Sequence, residues 1–124
     1  MRTKGLIVIP FLVALLAGCD DSARTTQPTP PGVATTVSIV AGASTQTTAA
    51  WSPNPVTITA GGAVQWLNND TTTHMPAAND GSWTAGNVAP GGTFNQAFPT
   101  AGTYGYHCAI HPNMVGTITV NPTQ

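Results

Sequence analysis

Cys108, His111 and Met114 fall at a Cys-x-x-His-x-x-Met spacing within the stretch Tyr104-Gly105-Tyr106-His107-Cys108-Ala109-Ile110-His111-Pro112-Asn113-Met114. No other part of the chain is so dense in soft ligands. A thiolate and a thioether prefer soft or borderline metals such as Cu(I), and imidazole accepts copper in either oxidation state. A loop carrying all three suits a copper ion that changes charge by one electron. It still lacks a second imidazole, a rigid scaffold and a compartment where copper is met. The chain holds three histidines, His74, His107 and His111. His74, just after the polar turn Asn69 to Thr73, is the candidate for the missing ligand.

The elements that must position these residues read as strands. From about Val37 to Val120 apolar residues recur at period two in short runs broken by Gly, Pro and Asn-Asp clusters, with no helical stripe. Expected strands are Val37–Val40, Val56–Thr59, Ala63–Leu67, Thr73–Ala77, Thr93–Phe98, Thr103–Cys108 and Gly116–Val120. Ala60-Gly61-Gly62 supplies a positive-φ turn that makes the second and third a hairpin. Seven to eight short strands in so few residues indicate an all-β, two-sheet sandwich. Trp51, Trp66, Phe94, Phe98, Tyr104 and Tyr106 are the large core or rim candidates. Alternation along the strand ending at Cys108 puts Tyr104, Tyr106 and Cys108 on one face, the interior, and His107 on the other. His107 is therefore expected at the surface and not as a ligand.

The N-terminal part reads as export machinery. Arg2 and Lys4 precede the apolar run Leu6 to Ala17, shorter than the roughly 20 residues a membrane-spanning helix needs, so residues 1–18 are expected to be a signal peptide. Leu16-Ala17-Gly18-Cys19 resembles a bacterial lipobox, which makes Cys19 the expected lipidation site and a membrane anchor. An exported protein with an unmodified Cys19 is the alternative. Residues 19–36, with Gln27-Pro28-Thr29-Pro30-Pro31-Gly32, form an extended linker to a folded head spanning 37–124. The expected location is the exported, periplasmic or cell-surface side of a bacterial membrane. With Cys19 acylated, Cys108 has no disulfide partner within the chain, and an unpaired exported thiol asks for a metal, an inert burial or an intermolecular role.

Charged residues are only 6% of the chain against 41% hydrophobic, so the surface is polar through hydroxyls and amides. Without Arg2 and Lys4, four aspartates stand against Arg24, a net charge of about −3. Nucleic acid, which calls for clustered Lys and Arg, is not an expected partner. Asp70 and Asp80 are the sole carboxylate side chains of the head, both in turn-like contexts that suggest solvated structural roles. An enzyme, which needs an acid or base beside an open position, is not expected.

Taken together, Gly61-Gly62-Ala63-Val64-Gln65-Trp66-Leu67-Asn68-Asn69-Asp70 leading to His74, Ala89-Pro90-Gly91-Gly92-Thr93-Phe94, and Ala101-Gly102-Thr103-Tyr104-Gly105-Tyr106-His107-Cys108 with His111 and Met114 resemble the cupredoxins. The likeness is to the small plastocyanin- or amicyanin-like proteins and covers about Ala50 to Val120. The two-residue gap between His111 and Met114 is the short, amicyanin-like loop. The resemblance implies a Greek-key sandwich and one mononuclear type 1 copper held by His74, Cys108, His111 and Met114. Cys108 would give the covalent coupling, the two histidines the equatorial plane and Met114 the weak axial contact. It also implies a monomer that passes single electrons between larger redox proteins, a cytochrome, a dehydrogenase or a terminal oxidase or reductase, docking near His111. Pro112, Met75 and Pro76 are expected rim residues of that docking patch. Two departures stand out: Met75 occupies the place after the first histidine where the family commonly has Asn, and Pro112 has no N–H to offer the thiolate. The site must be braced otherwise. A periplasmic copper buffer or delivery protein using the same ligands is the alternative function, and zinc is a chemically possible substitute for copper.

Overall fold

The computed structural model describes residues 34–124; the expected leader, Cys19 and all but the last residues of the linker lie outside them. The described chain forms eight strands, β1 (Thr35–Ile39), β2 (Trp51–Ser52), β3 (Val56–Thr59), β4 (Gly62–Asn68), β5 (Pro76–Ala78), β6 (Thr93–Phe98), β7 (Gly102–Cys108) and β8 (Val115–Asn121), with short 3-10 turns at Ala43–Thr45 and Thr48–Ala50. Each strand longer than three residues lies within two residues of an expected one, because period-two burial marks a strand's extent well. β1 starts at Thr35, two residues before the head was expected to begin.

Two four-stranded sheets, ordered β2-β1-β4-β6 and β3-β8-β7-β5, form the sandwich. β1 runs parallel to β4 and β3 parallel to β8, while β4–β6, β5–β7 and β7–β8 are antiparallel. From β2 to β7 every connection crosses from one sheet to the other. The expected hairpin of β3 and β4 is therefore a corner: Gly61 takes the positive φ of 89°, but the two strands part into opposite sheets. Their N–H groups at the corner go to neighbours instead, Ala60 N–H to Asn121 O at 2.8 Å and Gly61 N–H to Phe98 O at 2.9 Å. A positive φ permits either outcome; the pairing of β3 with β8 decides it.

The inward faces are Val37 and Ile39 of β1, Val56 and Ile58 of β3, Val64 and Trp66 of β4, Tyr106 and Cys108 of β7, and Ile118 and Val120 of β8, all in one buried cluster with Trp51, Phe98 and Met114. At roughly 25 cal/mol per Å² of apolar surface removed from water, this shared layer supplies the main drive for folding. Trp83, which no periodic run contains, closes the layer from the β5–β6 connection. It lies 5.1 Å centroid to centroid from Trp66 and 6.1 Å from Phe94. Tyr104, a core or rim candidate on the face expected to be interior, is half-buried at the rim, its hydroxyl donating to Thr100 O at 2.6 Å. Tyr106 is fully buried, and burial pushes its phenol well above the ordinary range.

Candidate metal centre

The end of β7 and the loop to β8 deliver three of the four expected ligands. Cys108 closes β7 on its inward face, and the loop then folds back on itself: Met114 N–H donates to His111 O at 3.0 Å and Cys108 N–H donates to Met114 O at 3.1 Å. This turn brings residues 111 and 114 beside Cys108, as a three-residue spacing allows. His74 arrives from the β4–β5 connection, fixed by a reciprocal pair of main-chain hydrogen bonds with Val88 at 3.1 and 2.8 Å.

The Nδ1 atoms of His74 and His111 each lie 3.7 Å from Cys108 Sγ, and the three donor atoms fall within 4.8 Å of one another. His74, Cys108 and Met114 are fully buried, and His111 is half-buried. Separations of 3.7 Å are within the span of a thiolate and an imidazole that share one metal at bonds of about 2.3 and 2.0 Å. Two imidazoles and a thiolate, with a thioether in the same loop, fit copper by donor type and by spacing.

His107 is turned away, as alternation requires. It lies opposite Ala77 across the β7–β5 ladder, half-exposed, with Nδ1 2.7 Å from Asn79 Oδ1.

The bracing that Met75 and Pro112 seemed to remove is supplied by the main chain. Met75 N–H donates to Cys108 Sγ at 3.3 Å, and Met75 O accepts from Ala109 N–H at 2.8 Å. The two ligand loops are thus tied by backbone on either side of residue 75, and the side chain there is free to be apolar. Asn113 adds a clamp on the outer side, its Nδ2 donating to Ser44 O and Gln46 O at 3.1 and 2.8 Å. Pro76 is fully buried, which corrects its expected place on the rim, because as the first residue of β5 it faces inward opposite Cys108. Pro112 is exposed and Met75 partly so.

The expectation of a solvated Asp70 is also corrected. The turn after β4 folds beneath Gly42, leaving Asp70 only 6% exposed. Its Oδ2 lies 2.8 Å from His74 Nε2, while Oδ1 accepts from Gly42 N–H at 3.0 Å and Thr71 N–H at 2.8 Å. The hydrogen bond with His74, followed by that from Gly42, holds its carboxyl at about 2, against an ordinary 3.8. The four-residue step from Asp70 to His74 was the available signal, but an Asn-Asn-Asp run reads first as a turn.

A cupredoxin-like domain model matches residues 8–120. Plastocyanin of Scenedesmus fuscus is 38% identical over 81 residues, 55% of this chain and 83% of that protein. Among solved structures, a purple cupredoxin from Nitrosopumilus maritimus is 29% identical with a TM-score of 0.65, covering 70% of this chain and 99% of that one. An oxidised amicyanin variant, at 24% identity, shares the fold with a TM-score of 0.59 over 71% of this chain and 82% of its own. With its eight-stranded sandwich and the type 1 copper arrangement of His74, Cys108, His111 and Met114, the chain belongs to the cupredoxin-like family.

Proposed function

We propose that this protein is a one-electron copper carrier, held on the exported, periplasmic or cell-surface side of a bacterial membrane by a lipidated Cys19. The observation that carries the reading is the convergence of the His74 and His111 Nδ1 atoms, each 3.7 Å from the buried Cys108 thiol. Bound copper would supply the single-electron change. The residues do the rest: His74, Cys108 and Met114 keep their donor atoms away from water, and the hydrogen bonds about Met75 and Asn113 hold the loops in one geometry. Little rearrangement is then needed as the charge changes.

His111 offers the way in and out. Its half-buried ring lies in the loop with Ile110, 45% exposed, and the exposed Pro112. Together these give an apolar rim suited to brief docking of a larger redox protein. The complete burial of three ligands favours carriage over buffering, since delivery of copper calls for ligands a recipient can reach.

The copper-loaded protein should take up one electron per chain in a reductive titration and surrender Cu(I) to a soluble chelator slowly. Rapid surrender would favour the delivery protein instead. Mass spectrometry of the N-terminal peptide tests the anchor: acyl chains on Cys19 are expected, and a free Cys19 thiol in the exported protein contradicts the tether.

A further inference from the structure

We propose that Asp70 is a positioning residue of the copper centre, fixing the His74 ring with its proton on Nε2 and setting an unneutralised negative charge behind it that lowers the reduction potential. The inference rests on the copper-carrier reading for its second half and on geometry alone for its first.

Asp70 is held from three sides. Oδ1 takes the N–H groups of Gly42 and Thr71, Oδ2 faces His74 Nε2 at 2.8 Å, and its own N–H donates to Asn68 Oδ1 at 2.9 Å. Asn68 is buried too, with Nδ2 donating to Thr72 O and Val88 O at 2.8 and 2.9 Å. Since Val88 also pairs with His74 through the main chain, carboxylate and imidazole are anchored to one frame. A carboxylate oxygen only accepts, so the ring nitrogen facing it must carry hydrogen. That leaves Nδ1, the atom 3.7 Å from Cys108 Sγ, with its lone pair toward the metal position.

The charge is unusual for its setting. Residues 34–124 contain no Lys or Arg, and Asp80, the other carboxylate side chain there, is exposed and accepts from Ser82 N–H. Asp70 therefore has no cationic side chain to offset it within this part of the chain; its facing group is the imidazole itself. The hydrogen bonds from Gly42, Thr71 and His74 offset the cost of burying this charge. A metal on the far nitrogen would also feel it, and more as Cu(II) than as Cu(I).

Asp70→Asn separates the two effects from simple packing. Gly42 and Thr71 N–H groups require an oxygen at the Oδ1 place, so the new amide N–H₂ must face His74 Nε2. It then donates where the carboxylate accepted, and the ring proton moves to Nδ1, where it competes with metal. In the metal-free protein, at a pH high enough to keep imidazoles neutral, ¹⁵N imidazole shifts should show His74 protonated on Nε2 in the wild type and on Nδ1 in Asp70→Asn. Wild-type His74 protonated on Nδ1 overturns the proposal whether or not copper binds, and this measurement needs no variant to fold. In the copper-loaded pair, Cu(II) affinity should fall about 10–100-fold, with a smaller loss for Cu(I). Each tenfold change in that ratio raises the potential by about 59 mV. An unchanged or lower potential in Asp70→Asn overturns the electrostatic half. Failure of the wild type to bind copper would instead count against the carrier reading and leave the tautomer result standing.

Discussion

Gly116 of β8 lies directly across the ladder from Tyr106 of β7, and the sandwich depends on the absence of a side chain there. A Cβ added to Gly116 would sit 2.3 Å from Tyr106 Cζ and 2.6 Å from both Cε1 and the hydroxyl oxygen, about 1 Å inside the roughly 3.5 Å of ordinary contact. The ring has nowhere to go. Trp51, Trp66 and Trp83 hold it at centroid distances of 4.9, 5.3 and 6.2 Å, and Gly116 itself is pinned in the β7–β8 pairing. Overpacking of a filled core costs about 1–3 kcal/mol, and with three aromatic walls Gly116→Ala should fall at the upper end, about 3 kcal/mol. Tyr106→Ala alone should cost about 3–5 kcal/mol, as for other large aromatic truncations. The double variant should cost less than the sum by about 2 kcal/mol or more, because the methyl then enters vacated space. Urea unfolding of the metal-free proteins, followed by tryptophan fluorescence, measures all four corners of the cycle. A Gly116→Ala cost under about 0.5 kcal/mol, or strict additivity, would refute the packing described for this face.

Cys108→Ser should abolish the thiolate-to-copper band and most one-electron activity, whereas Met114→Leu should keep copper and move the potential; loss of all binding in the latter would mean that the thioether is no weak axial contact. Asn113→Ala removes two hydrogen bonds to the Ser44–Gln46 segment and should cost about 1–2 kcal/mol of stability, read by thermal unfolding, with no change expected in copper stoichiometry. Because the folded Asp70 carboxyl is held at about 2 against an ordinary 3.8, its contribution to stability is full above about pH 4 and disappears as pH falls toward 2. Acid unfolding of the metal-free protein should show this loss, and Asp70→Asn should flatten it over the same window.

The sequence announced the copper ligands because thiol, imidazole and thioether are scarce in it and three of them share one loop. It also announced which face the strand ending at Cys108 buries, with Tyr106 and Cys108 inward and His107 outward, since alternation reports orientation residue by residue. Neighbours are another matter: period two says nothing of which strand lies beside which, so β3 and β4 read as a hairpin although they belong to opposite sheets. Trp83 was illegible for a similar reason, coming from a turn-rich connection with no period to place it. Asp70 does sit in the turn its Asn-Asn-Asp run suggested, but whether a turn meets solvent or tucks under Gly42 is decided by distant packing. Met75 shows the limit most clearly. Its side chain is the wrong type to tie the ligand loops, and the tie is made by its backbone, whose donors are the same for every residue but proline.

The most direct test of the central claim is the visible spectrum of the protein after one equivalent of Cu(II). A type 1 copper centre at Cys108 requires an intense thiolate-to-copper charge-transfer band that bleaches with a single electron and is absent in Cys108→Ser. A copper-loaded protein that stays colourless, or a band that survives Cys108→Ser, would contradict it.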